Sequence, residues 1–249
     1  MLEFFELFLL FIVYSFFGYI IEMIWCSIET KKFLNRGFLM GPVIPIFGVG
    51  AVLITLLLTR YYDDPIVVFV FAMILTTTLE YIVGYLLEKI FHNKWWDYSK
   101  MFGNLHGRIC ILNTLSFGVG AIFIIYLANP LIMDVRILMS DMLVIIIGAI
   151  VLLLFIADSI YSFIVAYNLR TNIIVVEELK NRKLSDVTKF LEEQLISRMK
   201  KFKPNPDRLI KSFPKLKEGM AKEFDIITSI RKKLKFQTKE EKKRRKEER

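Results

Sequence analysis

The fold is decided first by a long apolar stretch near the start of the chain, Leu7-Phe-Leu-Leu-Phe-Ile-Val-Tyr-Ser-Phe-Phe-Gly-Tyr-Ile-Ile-Glu-Met-Ile-Trp-Cys-Ser-Ile28. Its one charged residue is Glu22. A helix of roughly 20 mostly apolar residues crosses the hydrocarbon core of a bilayer, which is about 30 Å thick. The stretch therefore predicts a membrane-spanning helix.

Four further stretches have the same character, and the charges inside them are limited to Glu80 and Asp158. They cover residues 37–59, 65–87, 109–133 and 142–169. The chain has 249 residues, of which 55% are hydrophobic, and this composition excludes a single soluble domain. The sequence thus predicts an all-α integral membrane protein with five transmembrane helices in residues 1–169.

Lysine and arginine are distributed unevenly between the connections, and this bias predicts the orientation. The first connection contains Lys31, Lys32 and Arg36, the third contains four basic residues, and the C-terminal tail is strongly basic. The second and fourth connections contain only Arg60 and Arg136. We therefore expect the N-terminus outside and the C-terminus in the cytosol.

The tail carries the positive charge of the protein. Residues 168–249 contain 25 Lys and Arg against 13 Asp and Glu, whereas the rest of the chain is net acidic. Amphipathic periodicity predicts a helical cytosolic tail over residues 170–236, and the charged residues 237–249 are expected to be disordered. The basic tail favours anionic lipid headgroups as its partner. A docking arm for a protein is the alternative, and nothing specific indicates nucleic acid.

Two blocks of sequence recur in the same order. Gly18–Trp25 resembles Gly84–Phe91, and Gly37–Ala51 resembles Gly107–Ala121. The repeat predicts two copies of a two-helix hairpin, about residues 7–59 and 65–133. Two spans return the chain to the same side, so the copies are expected to be parallel.

The polar residues within and beside the spans lie toward the predicted cytosolic side. We expect Glu22 and Glu88 to face Arg36 and Arg108 around a polar vestibule, with Glu80 deeper in the membrane, because embedded charges face the bundle interior and find partners. The alternative is that these residues form ion pairs that only fix helix packing. The candidates for the vestibule or substrate path are Glu22, Asn35, Arg36, Glu80, Glu88, Trp96, Asp97, Tyr98, Asn104, His106, Arg108 and Asp158.

Glycine and proline have two interpretations in this chain. Gly41-Pro42 and Pro45 interrupt the second span, so it either begins as a broken, re-entrant segment or opens backbone groups toward a substrate. Four glycines are expected to let helices approach closely, namely Gly48, Gly50, Gly118 and Gly120.

Enzymatic and metal chemistry have little support in the sequence. The two cysteines and two histidines lack a metal-ligand spacing, so we expect neither metal nor cofactor. Asp97, Tyr98, His106 and Arg108 could handle a lipid phosphate, yet no spacing defines a nucleophile with its base. We expect no catalytic site.

A set of motifs resembles the Putative ABC-transporter type IV family, the CmpB-like membrane proteins of bacteria. They are Tyr14-Ser-Phe-Phe-Gly18, Glu22, Asn35-Arg-Gly-Phe-Leu-Met-Gly-Pro42, Pro45-Ile-Phe-Gly48, Glu80-Tyr81, Trp96-Asp-Tyr-Ser99 and Asn104-Leu-His-Gly-Arg-Ile-Cys110, within residues 8 to 130. The resemblance implies a bacterial plasma-membrane location and a role in transport. The chain has no P-loop motif, so ATP-driven transport would require a separate ATPase subunit.

The leading hypothesis is therefore a permease-like component of a transporter. Because five spans are few for a complete path, a homo-oligomer or a partner permease fits this hypothesis. The alternative is a membrane scaffold or regulator that transports nothing.

Overall fold

The computed structural model describes residues 1–31, 37–91 and 94–181, and every regular element in these ranges is a helix. The α-helices are α1 (Leu2–Thr30), α2 (Pro45–Leu58), α3 (Pro65–Phe91), α4 (Ile111–Phe123), α5 (Asn129–Ile137) and α6 (Asp141–Asn181). A 3-10 turn at Thr59–Tyr61 follows α2, and a π-helical turn at Ile124–Ala128 joins α4 to α5.

Four helical stretches are long and apolar enough to cross a membrane, as predicted for the first, third, fourth and fifth spans. They are Leu2–Ile28, Pro65–Phe91, Ile111–Ile137 and Asp141–Tyr167. The all-helical class is thereby confirmed for the described residues, with four candidate membrane-spanning helices among them.

The second predicted span differs from the others, because its helix begins at Pro45 and not at Gly37. Proline suits the first turn of a helix, where its missing N–H has no partner to lose, and it disfavours helical backbone in the residue before it. Ile44 is accordingly extended, with φ −118° and ψ 99°. Residues 37–44 are non-helical, and α2 itself has only 14 residues.

The helices pair as two hairpins, α1 with α2 and α3 with α4, and α2 packs on α3 to join them. A buried apolar cluster connects the last turn of α2, the first turns of α3 and the end of α4. It contains Ile54, Leu58, Val68, Ala72, Ala121 and Ile125. Since Val68 and Ile125 meet there, α3 begins at the end of the bundle where α4 finishes.

The two ends of the bundle are distinguished by the helix ends that lie at each. Arg136 forms an ion pair with Glu6 at 2.6 Å, so the start of α1 lies beside the end of α5. We call this the terminal end, and we call the opposite end, where α1 and α3 finish, the loop end. Residues 37–64 thus lead the chain from the loop end back to the terminal end.

Close approach of helices depends on two of the four glycines named from the sequence. A Cβ on Gly48 would overlap the Ser15 hydroxyl and the Phe11 carbonyl of α1, and one on Gly118 would lie 2.6 Å from the Phe69 ring. Gly50 has only ordinary contacts, and a Cβ on Gly120 would meet nothing within 4 Å. The expectation is therefore wrong for Gly120, which faces open space.

A polar network that the sequence analysis missed crosses the bundle at the π-helical turn. Tyr14 donates a hydrogen bond to Asn129 Oδ1 at 2.6 Å, and Asn129 Nδ2 donates to Thr55 Oγ1 at 3.1 Å. The turn itself has a local cause, because Pro130 has no N–H to donate to the carbonyl four residues earlier. The Asn129 N–H instead reaches the Ile124 carbonyl.

The chain divides into two compact units, and the described part of the first is residues 1–162. In the second, α6 continues without interruption from Phe163 to Asn181, so no helix break marks the predicted boundary at 169–170. The predicted remainder of the tail and its disordered end lie outside the described residues.

Candidate functional site

The non-helical segment 37–44 reaches deep into the bundle. The Ile44 N–H donates to the carbonyl of Ser15 at 3.0 Å. At 1.5 Å per residue, Ser15 lies about 20 Å from the start of α1 and about 22 Å from its end. The segment therefore runs from the loop end to the middle of α1.

Asp158 of α6 holds this segment in place. Its Oδ1 accepts the Met40 N–H at 2.9 Å, and its Oδ2 accepts the Gly41 N–H at 2.8 Å. Ser162 accepts from the Met40 N–H at 3.1 Å and donates to Asp158 Oδ1 at 3.1 Å. Non-helical backbone within a membrane protein needs such partners, because lipid offers none.

A second connection, residues 94–110, folds back along α3. Asn104 Oδ1 accepts the Gly107 N–H at 3.2 Å, and its Nδ2 donates to the carbonyls of Ser99 and Met101. Gly107 has φ +70°, and a Cβ there would lie 2.6 Å from Asp97 Oδ1. Asn104, Asp97 and Gly107 thus give the connection its shape.

Arg108 anchors this connection to α3. Its Nε and Nη2 donate to Glu88 Oε2 at 3.0 and 2.7 Å, and its Nη1 donates to the Tyr81 hydroxyl at 3.2 Å. The guanidinium also lies over the rings of Tyr81 and Tyr85. Hydrogen bonding to Glu88 raises the pKa of Arg108, so the guanidinium keeps its charge.

The same connection reaches a buried carboxyl further along α3. Glu80 is only 6% exposed, and its Oε1 accepts hydrogen bonds from the Tyr98 hydroxyl at 3.3 Å and from Asn113 Nδ2 at 3.4 Å. Asn113 Nδ2 also donates to the Tyr98 hydroxyl at 2.6 Å. Glu80 therefore faces polar partners inside the bundle and not lipid.

The two non-helical segments meet through aromatic rings. The Phe38 ring lies 6.2 Å from that of Phe91 and 5.3 Å from that of Trp95. From α1, Glu22 lies close enough to act electrostatically on Glu80, and its Oε1 is 3.5 Å from the thiol of Cys26. The loop end of the bundle is thus a continuous polar and aromatic region.

The structure brings six of the predicted residues together around the connection 94–110. They are Glu80, Glu88, Trp96, Tyr98, His106 and Arg108, with Trp96 Nε1 donating to the Arg108 carbonyl at 2.8 Å and His106 Nδ1 lying 3.1 Å from the Tyr81 hydroxyl. Asp97 and Asn104 shape the turn, and Asp158 serves the other segment. Asn35 and Arg36 lie outside the described residues, as does the predicted contact of Arg36 with Glu22.

Three residues that take part in these contacts were not predicted from the sequence as site residues, namely Tyr81, Asn113 and Ser162. Asn113 had a usable signal, because it is a polar amide within the apolar stretch 109–133 and such residues seek partners. Ser162 follows Asp158 by one helical turn, which places both side chains on one face of α6.

Comparison with known proteins identifies the family of this chain. The model of the family described as Putative ABC-transporter type IV matches residues 9–163, which is more than half of the chain. The chain therefore belongs to this family, as its motifs indicated. No curated protein and no solved structure matches it.

Proposed function

We propose that this member of the ABC-transporter type IV family is a membrane-embedded transporter component, with a substrate path at the loop end between the two hairpins. The observation that carries the proposal is the interruption before α2, where Asp158 binds the backbone of residues 40 and 41 between the loop end and the middle of α1.

Two physical arguments support this assignment. Irregular backbone at membrane depth is tolerated only where protein buries it or where it lines a water-filled cavity. Discontinuous helices in transporters use this arrangement to place helix ends and backbone groups at the substrate. The N-terminus of α2, with its partial positive charge, begins at Pro45, next to Ile44 and its hydrogen bond to Ser15 in the middle of α1.

The proposal includes a specific topology. Residues 37–61 provide the fifth crossing as a re-entrant segment followed by a short helix, and the two hairpins are copies of one repeated unit. The loop end faces the cytosol of a bacterium, and the N-terminus lies outside, because the basic connections are at the loop end. The tail then lies beside anionic headgroups of the plasma membrane.

Energy for transport would come from another protein. The chain contains no P-loop, so we propose a separate ATPase subunit that docks at the cytosolic loop end. A homo-oligomer of this chain would supply the remaining helices of a complete path.

A scaffold or regulator is the second candidate, and the satisfied ion pairs favour it. Arg108 is fully engaged with Glu88 and Tyr81, and Arg136 pairs with both Glu6 and Asp141 at 2.6 Å. In a scaffold, these charges would only fix the packing of helices.

Purification of the full chain from its native membrane tests the transporter proposal. The transport role predicts that a P-loop ATPase co-purifies in a fixed ratio, and that the complex reconstituted in vesicles hydrolyses ATP. A membrane protein carrying the same tag serves as the control. A chain that purifies alone, with no ATPase bound under mild extraction, would contradict the proposal.

A further inference from the structure

Glu80 is the one acidic side chain that is buried in the described part of the protein. Both of its hydrogen bonds end on Oε1, whereas Oε2 is buried and has no hydrogen-bond partner. An ionised carboxylate accepts hydrogen bonds at both oxygens, so a charged Glu80 would leave half of its acceptors unsatisfied.

No positive charge compensates Glu80 among the described residues. Arg108 is committed to Glu88, two helical turns further along α3, and α2 contains no ionisable residue. From α1 the charge that acts on Glu80 is that of Glu22, which has the same sign. The connection 94–110 contributes the neutral Tyr98, and α4 contributes the neutral Asn113. An uncompensated carboxylate at this depth is costly.

The neighbours of Glu80 favour a proton over a metal ion as its ligand. Tyr98 and Asn113 both present hydrogens to Oε1, whereas a metal ion requires several oxygen, nitrogen or sulfur ligands. Within the described residues, no three His, Cys, Asp or Glu side chains assemble into a metal site. A neutral carboxyl removes the buried charge, with Oε1 as the carbonyl oxygen that accepts both hydrogen bonds and the proton on Oε2, where one O–H without a partner costs less than an unpaired negative charge.

We propose that Glu80 is a proton-binding site inside the membrane, occupied at neutral pH and oriented by Tyr98 and Asn113. Tyr98 belongs to the connection 94–110, where its N–H donates to the Gly107 carbonyl at 2.7 Å. The site is therefore linked to the loop end through the residue that holds the carboxyl. Proton occupancy is measured without transport, so this inference and the proposed function can fail separately.

The test uses dicyclohexylcarbodiimide, which adds to protonated carboxyl groups in apolar surroundings. The full chain in lipid vesicles is treated at neutral pH, and the adduct is located by mass spectrometry of its peptides. A glutamate with the ordinary pKa of about 4.3 is protonated in only about one molecule in 500 at pH 7. We expect most of the adduct on Glu80, and less than about a tenth of that amount on Glu22 or Glu88.

Matched variants complete the experiment. Glu80→Gln should abolish the adduct, whereas Glu3→Gln, at an exposed position in the first turn of α1, should leave it unchanged, and alkaline pH should suppress it. Protection of Glu80 by sodium chloride at constant pH, relative to choline chloride, would overturn the proposal in favour of a metal cation.

An infrared measurement covers the case in which the reagent cannot reach Glu80. The carbonyl band of a protonated carboxylic acid should be present at neutral pH and lost in Glu80→Gln. Identical spectra for the two proteins, together with no adduct on Glu80, would overturn the proposal.

Discussion

At the residue scale, the organising contact is the fork of Arg108 on Glu88. Two nitrogens of the guanidinium converge on one carboxylate oxygen, and a third reaches Tyr81. A planar guanidinium makes this set of bonds and stacks on aromatic rings, whereas an ammonium group acts as a point charge. The pairing of Glu88 with Arg108 was predicted from the sequence, but the hydrogen bond of Arg108 to Tyr81 was not.

We expect Arg108→Lys to lower the midpoint of thermal unfolding in detergent, because lysine keeps the charge but loses the fork and the ring contacts. A double-mutant cycle with Glu88→Gln is the control. In the Glu88→Gln background, Arg108→Lys should lower the unfolding midpoint much less, because the carboxylate that binds the guanidinium is absent. Equal losses in both backgrounds would show that the fork is not the cause.

At the element scale, the interruption of the second span has most influence on the architecture. Three positions in five residues, Gly41, Pro42 and Pro45, made a break predictable from the sequence. Its depth and its partner were not predictable, because the contact of Asp158 with residues 40 and 41 joins positions more than 115 apart in the chain. Such long-range contacts depend on packing and not on local propensity.

We expect Asp158→Asn to speed the hydrogen exchange of the Met40 and Gly41 amides by roughly tenfold to a hundredfold. An asparagine side chain offers one acceptor oxygen to two N–H groups, and a hydrogen bond to a charged group is worth about 1.5–3 kcal/mol. Mass spectrometry of peptides that cover residues 37–44 measures the change. Asp134→Asn, at an exposed position, is the control. An unchanged exchange rate in Asp158→Asn would show that the Asp158 carboxylate does not hold the Met40 and Gly41 amides.

Close packing of α1 on α2 gives a second prediction at this scale. Gly48→Ala should destabilise the protein by about 1–3 kcal/mol, because the added methyl group overlaps the Ser15 hydroxyl and the Phe11 carbonyl. Gly120→Ala should be neutral or stabilising by up to about 1 kcal/mol, since open space surrounds that position. The midpoints of thermal unfolding of both variants are measured in the same detergent. Equal midpoints would contradict the close packing of Gly48 against α1.

The same pair of glycines illustrates the limits of prediction. Gly48 is the first glycine of its Phe-Gly-Val-Gly block and Gly120 is the second of its own, and the same packing role was expected for both. In the structure Gly48 contacts α1 and Gly120 faces open space. Composition and periodicity identified the helices, but which face meets a neighbour is decided by tertiary packing.

At the scale of the whole molecule, helices of the two hairpins and residues 141–162 of α6 bind two non-helical segments, 37–44 and 94–110. The first is bound by Asp158 and the second by Glu88 and Glu80. Transport and scaffold roles differ in one respect, namely whether water from the loop end reaches these segments. Met40 is 50% exposed beside Asp158, so it is a suitable position to probe.

The most direct test is therefore the reaction of Met40→Cys with a membrane-impermeant thiol reagent in oriented vesicles. The unmodified chain is the blank, because Cys26 and Cys110 are each 1% exposed, and Leu153→Cys, on the apolar surface of α6, is the lipid-facing control. A water-lined path predicts rapid labelling of Met40→Cys from the loop end alone, with Leu153→Cys unreactive. If neither variant is labelled, residues 37–44 are sealed from water and the proposed path does not exist.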